Sequence, residues 1–223
     1  MFTVDPGSCH LKDFERAITI QNRAIFAGAD AIKWQLFDQH SSPSNFALPY
    51  DWFKKLKEHG DKYGIKVYAS VFDLKAISVL QDASSEYVKL AYSKRLNKEL
   101  LQAIEKTKMK LIVTCDLFDI PAYLPEAIKL WTDADANGAK YPSYGLPCFK
   151  SMFEPHRFNG VSLHTMDPGV VVIANSSGAE YIEVHMRMGD ELDFTCNDGM
   201  FAFTPEQIRA IIRVSKPSVI IKP

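Results

Sequence analysis

Short apolar runs in which polar residues take every second place alternate along this chain with longer segments of helical spacing. Alternating strand and helix patterns predict βαβ units and a parallel sheet. Strands are predicted over residues 2–4, 31–36, 65–70, 87–91, 109–114, 127–132, 160–165 and 180–185. Helices are predicted over 11–27, 49–63, 73–81, 97–106, 167–178 and 204–214. Gly28 and Gly64 suit helix stops, and Asn97 and Thr204 suit N-caps, because a side-chain oxygen there accepts from an exposed amide. Eight strands with intervening helices describe one α/β domain over 1–223, a (β/α)8 TIM barrel slightly short for its class. Its weak link is the fifth crossover. Pro121 and Pro125 interrupt the place of that helix, so a truncated or irregular crossover and a poorly marked sixth strand are expected. Polar loops at 37–48, 133–147 and 190–203, and a short helix near 147–153, complete the reading.

Side chains alternate faces along a strand, so the last polar residues of each strand identify the barrel mouth. They are Asp5, Lys33, Gln35, Ser70, Lys89, Thr114, Ser162, His164, Glu183 and His185. Two lysines among several hydroxyls suit a phosphate or a phosphorylated carboxylate; equally, they suit internal ion pairs, since a buried lysine needs an anion. Two imidazoles with a carboxylate suit a divalent metal that polarises a carbonyl, or else hydrogen-bonded barrel histidines. His10, His40, His59 and His156 read as solvated, Trp34 as core, and the charges of 54–62 as a solvated helix face. Cys9 and Cys115 fall near the mouth, but no adjacent base marks either as a nucleophile.

Bulk properties narrow the function. The 223 residues carry a net charge of −1, with 47% hydrophobic and 24% charged residues, which lacks the basic field of a nucleic-acid binder. No apolar run approaches a membrane span and no signal-like N-terminus is present, so a cytoplasmic protein without membrane partners is expected. Cys9, Cys115, Cys148 and Cys196 are widely spaced, which predicts reduced thiols rather than disulfides or a structural zinc site.

Several segments, in order, resemble the sialic acid synthase family. Asp5-Pro-Gly-Ser-Cys-His10 is similar to the family's Glu-Ile-Gly-x-Asn-His, and Ala27-Gly-Ala-Asp-Ala-Ile-Lys-Trp-Gln35 to its Ala-Gly-Ala-Asp-Ala-Val-Lys-Phe-Gln. Ala69-Ser-Val-Phe-Asp73 resembles Ser-Thr-Pro-Phe-Asp, Lys89-Leu-Ala resembles Lys-Ile-Ala, and Tyr141-Pro142 resembles Tyr-Pro-Thr. Val161-Ser-Leu-His-Thr165 falls on Tyr-Ser-Asp-His-Thr, and Gly178-Ala-Glu-Tyr-Ile-Glu-Val-His185 on Gly-Ala-x-x-Ile-Glu-x-His. The resemblance implies a transferase of carbohydrate biosynthesis that condenses phosphoenolpyruvate with N-acetylmannosamine or a related amino sugar. It implies His164 and His185 as ligands of Mn2+ or Mg2+. Lys33, Lys89, Ser70, Thr114 and Ser162 would then hold phosphoenolpyruvate, and Gln35, Tyr141 and Asp198 the sugar. Asp5 would orient the sugar or help proton transfer, and Glu183 would support the site from behind.

The chain also departs from that pattern. Asp5 stands for a Glu, Cys9 for an Asn, Leu163 for the Asp before the metal histidine, and Tyr92 for a phosphate-binding Ser. Thr114-Cys-Asp-Leu117 replaces Ser-Thr-Gly-Met, which brings the carboxylate of Asp116 toward the expected phosphate pocket. The family's C-terminal antifreeze-like domain, with its substrate-binding arginine, falls outside this sequence, so a homodimer or a separate lid-supplying polypeptide is the expected partner. Two other readings stand beside the synthase. One is a divergent lyase or aldolase acting on another phosphorylated or carboxylate substrate; the other is a catalytically silent partner subunit in glycan biosynthesis.

Overall fold

The computed structural model describes residues 1–38, 47–116, 124, 126–132, 158–189, 196 and 199–215. Eight parallel strands close in sequence order: β1 (Phe2–Asp5), β2 (Ala31–Leu36), β3 (Lys66–Val71), β4 (Tyr87–Leu90), β5 (Lys110–Cys115), β6 (Ile128–Thr132), β7 (Gly160–Leu163) and β8 (Tyr181–His185). β1 pairs with β8, Asp5 lying opposite His185, and this ladder shuts the barrel. The sixth strand, marked only faintly by its sequence, is regular and pairs on both sides. The loop 133–147, the short helix near 147–153, His40, His156 and Cys148 lie outside the described residues.

Around the strands run α1 (Phe14–Ala27), α2 (Tyr50–Tyr63), α3 (Leu74–Asp82), α4 (Lys98–Glu105), α5 (Pro168–Ser176) and α6 (Pro205–Ser215). Local chemistry sets their ends. Asp13, Asp73, Asn97 and Asp167 accept amides as N-caps, and Gly28 closes α1 at φ 84° with its N–H on the carbonyls of Ala24 and Ile25. The first helix starts three residues later than the apolar spacing predicts, because Leu11 and Lys12 take left-handed conformations with φ of 48° and 56°. Among the described residues, no helix is long and apolar enough to cross a membrane.

Each strand serves two cores. Outward residues such as Val4, Ile32, Trp34, Leu36, Val88, Leu90, Val161 and Val184 join the helices in one large apolar cluster. Inward, Ala31, Tyr68, Tyr87, Ile112 and Leu130 form a small separate cluster that plugs the amino-terminal end of the lumen. Gly160 belongs to this level, and a Cβ there would lie 1.8 Å from the carbonyl oxygen of Tyr181, so β7 and β8 approach closely only because it has none. Two residues further along the same strands, the lumen changes character. Lys33 follows Ala31, Ser70 follows Tyr68, Lys89 follows Tyr87 and Thr114 follows Ile112.

Candidate functional site

Above the apolar plug the lumen holds a compact charged layer. Lys33 reaches in from β2 and places Nζ 2.5 Å from Asp5 Oδ2 and 3.1 Å from Glu183 Oε1. Lys89, from β4, donates to the same Glu183 oxygen and to Ser162 Oγ at 3.3 Å, while Ser162 donates to Glu183 Oε1 at 2.9 Å. The other Asp5 oxygen accepts the Gly7 amide at 2.9 Å. Asp5, Lys33, Lys89, Ser162 and Glu183 are all at most 4% exposed, so water screens none of these contacts.

Burial and pairing compete differently at each ion. Burial alone pushes the Lys33 ammonium down, but the attraction of two carboxylates, Asp5 and Glu183, prevails and holds it above its ordinary value. Lys89 has one carboxylate and faces the Lys33 charge, so burial prevails and lowers it to about 8. Burial would raise both carboxyls; the ammonium of Lys33 outweighs it at Asp5, with help from His185, and those of Lys33 and Lys89 outweigh it at Glu183. Both carboxyls are thereby held below their ordinary values. Lys33 is the anchored cation and Lys89 the labile one.

The expected mouth residues come together. His185 turns Nδ1 toward Asp5 Oδ2 at 3.7 Å, and its ring centroid lies 4.8 Å from that of half-buried His164. Ser70, in register beside Lys89, and Thr114 bury hydroxyls that make no hydrogen bond among the described residues, as does Glu183 Oε2. Such buried polar atoms call for a polar ligand or water. Gln35 stands half-buried two residues beyond Lys33. Tyr141 and Asp198, expected at the sugar, lie outside the described residues.

The two adjacent imidazoles are the described side chains whose nitrogen donors could hold a divalent transition-metal ion. Among the described residues there is no cluster of three His, Cys, Asp or Glu side chains arranged for a metal. A hydrogen bond from Tyr92 to Asp116 ties the ends of β4 and β5, and the Arg95 guanidinium stacks 3.8 Å from the Tyr92 ring centroid. The Asp116 carboxylate is thus engaged by a hydroxyl at the rim.

Two expectations change. His10 is not solvated: it is fully buried between the edges of Trp34 and Trp52, its Nδ1 accepting the Lys12 amide, because the left-handed turn folds it under α2. Cys9 and Cys115 face the outer core rather than the mouth. Glu183, expected to support the site, supplies the oxygen on which both lysines converge. Arg187, 5% exposed with Nε on the Ala202 carbonyl at 3.0 Å, escapes the reading of strand ends. The alternation through Glu183 and His185 continues to it, and following that pattern one step further is the signal.

The NeuB family model matches residues 38–120 of this chain. An uncharacterized protein of Methanocaldococcus jannaschii is 25% identical over 92% of the chain and 67% of its own length. Among solved structures, N-acetylneuraminic acid (sialic acid) synthetase from Leptospira borgpetersenii serovar Hardjo-bovis superposes with a TM-score of 0.81 at 20% identity, covering 100% of this chain and 86% of that one. A spore coat polysaccharide biosynthesis protein E from Chromobacterium violaceum follows with a TM-score of 0.77 at 16% identity, covering 96% and 73%. At these identities the structural likeness speaks for the barrel. The family match runs through β3, β4 and β5 and so contains Ser70, Lys89 and Thr114. In that segment the chain is similar to the NeuB family, and by its fold it is a (β/α)8 barrel.

Proposed function

We propose that this barrel is a sialic acid synthase-like enzyme that condenses phosphoenolpyruvate with an N-acylated hexosamine, giving a 2-keto-3-deoxy sugar acid and phosphate. The observation that carries the reading is the convergence of Lys33 and Lys89 beside the buried, hydrogen-bond-free hydroxyls of Ser70 and Thr114, below two adjacent histidines. An anionic ligand entering here would draw the ammoniums partly from Glu183 and accept from both hydroxyls. Water exclusion by the plug below and the apolar shell outside strengthens each such contact. Held between His164 and His185, a divalent ion would supply Lewis-acid polarisation of the acceptor carbonyl. C3 of phosphoenolpyruvate then attacks the open-chain aldehyde, water adds at C2, and phosphate leaves. Lys33, fixed by Asp5 and Glu183, supplies permanent positive charge to the phosphorylated acid. Asp5 braces both Lys33 and His185 and thereby sets where the two halves meet.

Calorimetry of phosphoenolpyruvate binding with Mn2+ tests this directly, followed by phosphate release with acyl-hexosamines. Binding that weakens at least tenfold without metal or in His164→Ala/His185→Ala is expected. Properly folded wild-type protein that fails to bind phosphoenolpyruvate would overturn the reading.

A further inference from the structure

The synthase reading uses Lys89 as a charge, yet its surroundings equip it for a covalent step. Its Nζ sits in a lumen closed to bulk water, 3.3 Å from Ser162 Oγ and bonded to Glu183 Oε1. Lys33 Nζ touches that same oxygen at 3.1 Å, so a second ammonium lies beside it. A like charge and burial are the two devices that keep an amine available as a nucleophile, and Lys89 is lowered to about 8.

The neighbouring strands add a built cradle. Ser70 on β3 is in register with Lys89; on β5, Thr114 lies two residues beyond Ile112, the register partner of Lys89. Their hydroxyls are buried and make no hydrogen bond among the described residues, so the strands on either side of Lys89 offer two donors that suit one small carboxylate. A carboxylate held by both would sit on the strands that flank Lys89, with its adjoining carbon in the lumen that Lys89 enters. In a 2-oxo acid that carbon is a ketone.

We propose that Lys89 forms an imine with the keto carbon of a 2-oxo acid whose carboxylate rests on the Ser70 and Thr114 hydroxyls. The proposal rests on the reading of this lumen as a site for a three-carbon acid, but it requires neither phosphate nor metal. The step balances without a co-reactant. The nitrogen forms a bond to the keto carbon, the carbon–oxygen double bond breaks, and the oxygen leaves as water. Of the three ammonium protons, two leave in that water and one stays on the iminium nitrogen, which keeps the positive charge. Ser162 and Glu183, both bonded to Nζ, are the neighbours positioned to carry those protons. The activity implied is reversible imine chemistry on the class of acid that the synthase reaction releases.

Metal-free protein incubated with pyruvate near pH 8, reduced with borohydride and read by intact mass and peptide mapping tests the proposal. One reduced pyruvate adduct per chain, mapped to Lys89, is expected in the wild type. Lys89→Arg should abolish it, and Ser70→Ala/Thr114→Val should lower its yield severalfold. Folded wild-type protein without an adduct, or with adducts spread over surface lysines, overturns the proposal. Phosphate release without an adduct removes the imine alone, and an adduct without phosphoenolpyruvate binding removes the synthase reading alone.

Discussion

The two faces of the same eight strands solve opposite problems. Outward, residues such as Ile32, Trp34, Leu90 and Val184 bury apolar surface against helices, where the gain is non-directional and scales with area. Inward, one residue along, Lys33, Lys89, Glu183 and Asp5 are buried equally deeply, and their stability depends on a complete set of partners. The outer face tolerates a lost neighbour in proportion to its size. The inner face does not, because one carboxylate serves two ammoniums.

Breaking the inner face should therefore have the largest effect. Glu183→Leu leaves two buried ammoniums with only Asp5, and a loss of about 3–5 kcal/mol in denaturant unfolding is expected. Adding Lys89→Met should restore part of that loss, since it removes an uncompensated cation; a double variant no more stable than the single would refute the coupling. On the outer face, Leu90→Ala beside Lys89 should lose about 2–5 kcal/mol through the cavity it leaves, while phosphoenolpyruvate affinity by calorimetry stays unchanged. An affinity change there would show that the two faces are not separable.

The smallest effect is a difference in pH slope. Lys89 is lowered from 10.5 to about 8 in the fold, so between those values the unfolded chain binds the extra proton. Its charging penalty is fully present below pH 8 and is relieved as pH rises to 10.5, and over that window wild-type stability should rise relative to Lys89→Met. Parallel profiles for the two proteins would refute the asymmetry between Lys89 and Lys33.

How much of this was legible in the sequence follows from the range of each interaction. The strand β2 is bounded as its alternation predicts, and the Asn97 cap is found where its side chain suggests, because both depend on neighbours within a few residues. The placement of Lys33, Ser70, Lys89, Thr114, Ser162, Glu183 and His185 at one end of one lumen follows from the same local period. His10 shows the opposite case. Its burial comes from Trp34 on β2 and Trp52 on α2, which meet only when the helix packs on the barrel.

Sequence alone therefore determined the alternation of elements, the inward and outward faces, and the identity of the polar residues at the mouth. All three are periodicities of the backbone read one segment at a time. The tertiary structure alone decided the partners. Lys33 meets Glu183 across 150 positions and Lys89 meets it across 94, contacts that exist only because β8 closes on β1 and brings its carboxylate between them. No local pattern distinguishes a lysine held by two carboxylates from one that shares a carboxylate with another cation, and that difference sets apart the fixed charge from the labile amine.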